Sequence, residues 1–213
     1  VRSHHETMEF AAIEGGRVLT WHDTRQTQSL AKGYLPIPSV TWTTGALSLT
    51  VTAFKSSSGD SSAFYVRYRL QNHASSIARP VLYLAIRPFQ VNPSWQFLAT
   101  QGGVAKVSHI AWDDSLLRVN DSLVVVPLTA PFTTGAMAFD EGSIVDKLRS
   151  RDNLLVNRSA RDPMELATAV MVYTLTVPAR GSRDVSIAIP AHGSSPGRFA
   201  SNAAAARLGG NVV

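Results

Sequence analysis

There is no cysteine among the 213 residues, which excludes structural disulfides and thiol chemistry and leaves the compartment undecided on that count. Charge is scarce as well. Asp, Glu, Lys and Arg make up 16% of the chain against 45% hydrophobic residues, the balance of a folded globular protein. No apolar run is long enough to span a bilayer, and no basic leader with an apolar core stands at the start. The net charge is +5 and the isoelectric point about 9.9, yet the basic residues are scattered. Arg67 and Arg69 share a strand face, and Arg149, Arg151 and Arg158 are merely near in sequence. A nucleic-acid platform needs a concentrated basic stripe with aromatics, so neither nucleic acid nor membrane is expected as a partner.

The usual signatures of catalysis are missing too. There is no GxSxG nucleophile elbow, no strand-to-helix glycine fingerprint for phosphate, and no HExxH helix. The histidines, His4, His5, His22, His73, His109 and His192, fall in or beside different turns, whereas zinc needs three or four convergent donors. A glycosidase needs two carboxylates at a set separation across the sugar. Glu9, Glu14, Asp23, Asp113, Asp114, Asp140, Glu141, Asp146 and Glu165 are available, but adjacent pairs such as Asp113-Asp114 and Asp140-Glu141 point in different directions and read as turns and caps. The expectation is no catalytic residue, no metal and no cofactor. Val1 in place of an initiator methionine suggests a processed chain or a piece of a longer one.

What the sequence does contain is period-two alternation. Leu47, Leu49, Val51 and Ala53 alternate with Ser48, Thr50 and Thr52; Phe64, Val66, Tyr68 and Leu70 alternate with Tyr65, Arg67 and Arg69; Leu82, Leu84 and Ile86 alternate with Tyr83 and Arg87. Such patterning lays one side of each strand on a core. Short polar loops between the three runs predict an antiparallel meander. Before it, Met8 to Leu19 around Gly15-Gly16 reads as a hairpin, residues 24–32 as polar connection, and residues 33–40, with Pro36 and Pro38, as an extended crossover or edge strand. After it come short strands over residues 104–126 with turns at Asp113-Asp114 and Asn120-Asp121. Ser143 caps a short helix holding Ile144, Val145 and Leu148. Residues 151–162 read as exposed, and residues 169–177 and 185–189 as a closing hairpin. The organisation expected is one all-β domain over residues 1–192, an antiparallel sandwich with a short helical insertion. Residues 193–213 follow as a Gly/Ala-rich tail, with one or two helical turns and a linker role toward a further domain.

The best functional lead is aromatic. Trp42, Trp95 and Trp112 offer flat apolar faces to a sugar, while Arg87, Gln90, Asn92 and Gln96 supply directional polar contacts. Two prolines, Pro88 and Pro93, bracket a polar and aromatic stretch, giving a rigid loop over residues 87–96 that can dock against a ligand or another domain.

Three segments also carry a family resemblance. They are residues 40–47 (VTWTTGAL), residues 65–72 (YVRYRLQN) and residues 84–93 (LAIRPFQVNP), with residues 175–185 (LTVPARGSRDV) as the last turn. Over residues 21–190 the chain resembles the β-supersandwich, galactose mutarotase-like domains attached to (α/α)6-barrel glycoside hydrolases and phosphorylases, in bacterial proteins sometimes labelled discoidin or coagulation-factor-5/8-type. The resemblance implies that catalytic carboxylates lie in a helical barrel elsewhere in the same polypeptide. This chain is then a noncatalytic accessory or scaffold domain, inactive alone, with loops that can reach a saccharide. The alternatives are a self-contained sugar-modifying enzyme of mutarotase-like fold and a purely structural assembly module. The compartment stays open between periplasmic or secreted and cytoplasmic.

Overall fold

The computed structural model describes residues 7–14, 17–58, 61–88, 106–113, 115–120, 122–150 and 157–191. In chain order the strands are β1 (Thr7–Glu14), β2 (Arg17–Leu19), β3 (Arg25–Ala31), β4 (Leu35–Thr44), β5 (Leu47–Ser58), β6 (Ser61–Asn72) and β7 (Val81–Arg87). They continue with β8 (His109–Asp113), β9 (Leu116–Val119), β10 (Leu123–Pro127), β11 (Thr133–Met137), β12 (Ser159–Arg161), β13 (Thr168–Thr174) and β14 (Ser182–Pro190). One helix, α1 (Ile144–Ser150), and 3-10 turns at Trp21–Asp23 and Phe139–Glu141 interrupt them. Among the described residues every pairing between these strands is antiparallel, within two sheets: β11-β13-β7-β1-β2, and β12-β8-β9-β10-β14-β6-β5-β4-β3. The all-β sandwich with a helical insertion is the architecture expected; the C-terminal tail lies outside the described residues.

Alternation accounts for the inner layer. Leu49 and Val51 of β5, Tyr68 and Leu70 of β6 and Val185 and Ile187 of β14 face Leu82, Leu84 and Ile86 of β7 and Met171 and Tyr173 of β13 across the space between the sheets. Five-stranded-sheet residues of opposite parity are buried as well. Tyr83, Ala85, Val170 and Val172 pack with Val18 and Met137 beneath Ile144 and Leu148 of α1. A helix of seven residues is marginal alone in water. Burying these two side chains, roughly 1.5–3 kcal/mol each, is what holds it.

Three expectations fail on strand partnership. β7 does not continue the meander: it leaves β5 and β6 and sits between β13 and β1 in the other sheet. The five consecutive buried residues from Leu82 to Ile86 mark a strand covered on both faces, which an antiparallel half-exposed meander does not need. The closing hairpin likewise separates, because β13 joins the five-stranded sheet and β14 pairs with β6 and β10. Residues 25–31 are an edge strand rather than a connection, and carry no apolar stripe because nearly every residue is exposed. This puts the proline-bearing strand one place in from the edge. Its ladder to β5 starts at Ser39, so Pro36 and Pro38 lie where β4 has β3 alone as partner, beside a register shift at Leu30/Ala31. Residues 151–162 also contain β12 and the buried Asp162.

Asn72 fixes the crossing from β6 to β7. It is buried, and its amide donates to the carbonyls of Ser76 (2.7 Å) and Pro178 (3.1 Å) while its oxygen accepts from the Ala74 amide at 3.0 Å. Asn72→Ala leaves those carbonyls unpaired, and we expect a loss of about 2–3 kcal/mol in urea unfolding. Arg69→Met, which breaks the partly exposed bidentate pair with Asp184, should cost under about 1 kcal/mol. Equal losses at the two positions would contradict this assignment.

Burial pushes the phenols of Tyr68 and Tyr173 well up, for Tyr68 with a further contribution from Tyr173. A raised folded-state pKa contributes stability that is complete below the unfolded value and is lost as pH climbs past it. The unfolding midpoint should therefore fall as pH rises above about 10. Phenolate absorbance should show these two tyrosines ionising only as the chain unfolds.

Candidate functional site

The two features singled out in sequence, the start of the 87–96 loop and the helical insertion, meet at one cleft of about 570 Å³. Arg87 and Pro88 come from the end of β7. Phe139 and Asp140 come from the 3-10 turn, Ser143 and Ile144 from the start of α1, and Leu166 and Thr168 from the approach to β13.

Local chemistry shapes the insertion side. The amide of Ala138 donates to Glu141 Oε1 at 2.9 Å, closing the 3-10 turn, and Gly142 then reverses the chain at φ 102, a conformation that L side chains rarely adopt. The Lys147 amide donates to the Ser143 carbonyl at 3.0 Å and opens α1. Beneath the turn sits Asp162, 5% exposed. Its carboxylate accepts from the amides of Phe139 (2.5 Å) and Met164 (2.7 Å), tying the turn to the loop before β13. Phe139 and Met164 themselves stay exposed, at 56% and 68%.

The lining is mixed. Arg87 is half-buried, and desolvation lowers its guanidinium pKa, though it remains a cation at neutral pH with a fork of N–H donors. Asp140 supplies acceptors, Ser143 and Thr168 supply hydroxyls, and Pro88, Phe139, Ile144 and Leu166 supply apolar surface. Such a site can hold a small ligand that is polar at its edges and apolar on its faces. Among the described lining residues Asp140 is the single carboxylate.

No family model matches the chain. No curated protein matches it either. Among solved structures, one described as "Putative kojibiose phosphorylase from human microbiome" matches over 95% of this chain at 10% identity and a TM-score of 0.43. The match covers 25% of that chain, so the present sequence spans about a quarter of its length.

The other nominated residues are placed differently. Gln90, Asn92, Trp95 and Gln96 lie outside the described residues. Trp112 is 7% exposed in the inner core, with its indole N–H 3.4 Å from the Gly135 carbonyl, and has little face left for a ligand. Trp42 is half-buried against the same core, beside Leu19, Leu47, Leu49 and Leu70. The carboxylates weighed as catalytic are largely committed to structure: Asp113 pairs with Arg118, Asp146 with Arg149 and Glu165 with Lys106, while Asp23 and Glu141 close 3-10 turns. Among the described residues no three His, Cys, Asp or Glu side chains gather as a metal site. His73 instead shares a hydrogen bond of 2.9 Å with Ser48. Sequence reasoning passed over Asp162, although Asp162-Pro163 is a turn-initiating pair. It also passed over Trp21, the exposed tryptophan among those described.

If Asp162 is what holds this side of the cleft, Asp162→Ala frees two amides at once. Hydrogen exchange at Phe139 and Met164 should accelerate markedly, with a stability loss of about 1–3 kcal/mol. Asp162→Asn, which keeps one acceptor oxygen, should fall between. Unchanged exchange at both amides in the alanine variant would rule this role out.

Proposed function

We propose that the chain is a noncatalytic accessory domain of a carbohydrate-active protein, and that the Arg87 cleft is where it contributes to holding a saccharide. The observation that carries this reading is the composition of the described cleft lining: a half-buried arginine, a carboxylate and two hydroxyls set among apolar surface. A saccharide needs directional donors and acceptors for its hydroxyls and apolar surface for its C–H faces, and this lining supplies both. Hydrolysis of a glycosidic bond by two carboxylates needs a partner for Asp140, and the described lining residues offer none. The two-sheet antiparallel architecture, and the resemblance of residues 21–190 to domains attached to helical-barrel glycosidases and phosphorylases, support the accessory role. On this reading the catalytic machinery belongs to a helical barrel in the same polypeptide.

A second reading, an assembly module, draws on the exposed Phe139 and Met164 beside the cleft. An apolar rim of this kind is what a neighbouring domain covers.

Protein-detected NMR with a panel of soluble oligosaccharides separates the two. The saccharide reading expects amide shifts at Arg87, Ser143 and Thr168 with at least one sugar, about tenfold weaker binding in Arg87→Gln, and no glycoside cleavage or phosphorolysis by the chain alone. An unresponsive cleft across the panel would leave the assembly reading, and turnover would favour the self-contained enzyme.

A further inference from the structure

We infer that the 3-10 turn Trp21–Asp23 is a second saccharide contact, a stacking platform built around Trp21 and separate from the cleft. The inference takes its ligand class from the reading above, but its evidence is its own.

Trp21 is 48% exposed, and none of the three turn residues is buried. A turn that buries nothing gains little from the core, so its order comes from polar contacts, and these are numerous. The amide and hydroxyl of Thr20 both donate to Asp23 Oδ2, at 2.9 and 3.0 Å, and the Asp23 amide donates back to the Thr20 carbonyl at 3.0 Å. Arg17 donates to the other carboxylate oxygen at 3.3 Å. The Trp21 carbonyl accepts from Gln26 Nε2 at 2.6 Å and from the Thr24 hydroxyl at 3.2 Å. The His22 ring lies against the indole, centroids 3.5 Å apart and tilted by 33°. The backbone of an exposed tryptophan is thus held on both sides, which lowers the ordering cost of binding.

The surroundings point to a sugar rather than a protein partner. An indole at a protein interface usually sits within a ring of residues that exclude water. Here the residues whose contacts hold the turn, Thr20, His22, Asp23, Thr24 and Gln26, are all polar. A flat apolar face bordered by hydrogen-bonding groups matches a pyranose, whose ring carries C–H groups on its faces and hydroxyls at its edge. The platform also has a geometric relation to the cleft. Ile144, at the start of α1, lines the cleft and packs in one cluster with Val18 of β2, the strand whose Arg17 donates to Asp23.

The test is a titration of the 213-residue chain with maltohexaose, cellohexaose, xylohexaose and mannohexaose, followed through the tryptophan indole N–H signals. We expect the Trp21 signal to move with at least one of the four. Trp21→Ala should weaken that binding about tenfold, Trp21→Phe less, and Arg87→Gln should leave the Trp21 response in place. A still Trp21 signal with all four sugars, or unchanged affinity in Trp21→Ala, overturns the platform. If cleft amides alone respond, the platform fails and the accessory reading stands; if Trp21 alone responds, the platform stands and the cleft fails. Should Trp21→Ala lose its fold, Gln26→Ala, which releases the clamp on the Trp21 carbonyl, must weaken binding in its place, and full affinity there also overturns the proposal.

Discussion

The constraint on which the rest depends is the double burial of β7 and β13. Their side chains are apolar on both faces, so neither strand can lie on an outer, half-wetted surface. One face is met by the nine-stranded sheet through Leu84, Ile86 and Met171 against Tyr68, Leu70 and Ile187. The other needs a cover, and α1 provides part of it with two side chains spaced four apart. The order of layers follows: helix, five strands, nine strands. The cleft follows as well, because a short helix laid across a sheet leaves a gap where its first turn leaves the end of β7, and that gap is lined by Arg87, Ser143 and Ile144.

Strand existence was legible in the sequence, and strand partnership was much less so. Alternation in β5 and β6 identified both strands and the face most of their residues turn inward, but it fails at the start of β6, where Phe64 is 52% exposed and Tyr65, on the face read as wetter, is buried. The pairing of β5 with β6 was legible because a short Ser/Gly loop joins them. The pairing of β7 was not, since a strand with Tyr83 and Ala85 buried behind Leu82, Leu84 and Ile86 looks amphipathic only if tyrosine counts as polar. β3 escaped notice for the converse reason. A strand exposed on both faces carries no period at all, and its existence rests on backbone pairing with β4.

At the candidate site the same logic separates what was seen from what was not. Arg87 was nominated as a directional polar contact at the start of a proline-bearing loop, and it lines the cleft. Trp112 was nominated as an aromatic, but its place on β8 turns it into the inner layer with Ile110, as period two dictates once the face is known. Ser143 and Thr168 reach the cleft because β7, α1 and β13 converge there, and sequence spacing carries no trace of that convergence. Asp162 is the harder case: a lone carboxylate in a polar stretch gives no sign that it will be buried with two backbone amides on it.

The two 3-10 turns share one construction. In each, an amide just before the turn donates to a carboxylate three residues on, Thr20 to Asp23 and Ala138 to Glu141, and in each the first residue of the turn is an exposed aromatic, Trp21 or Phe139. Aromatic rings left in water gain nothing from burial, so propensity and packing alone do not select them at these positions. The carboxylates close the turns and, at Phe139, a further one from Asp162 fixes the amide. Asp23, Glu141 and Asp162 thus serve backbone geometry, and the geometry they hold presents rings to solvent. With these three carboxylates on backbone amides, and Asp113, Asp146, Glu165 and Asp184 paired to cations, Asp140 is the one among the described residues that lines the cleft, where it can meet a ligand hydroxyl.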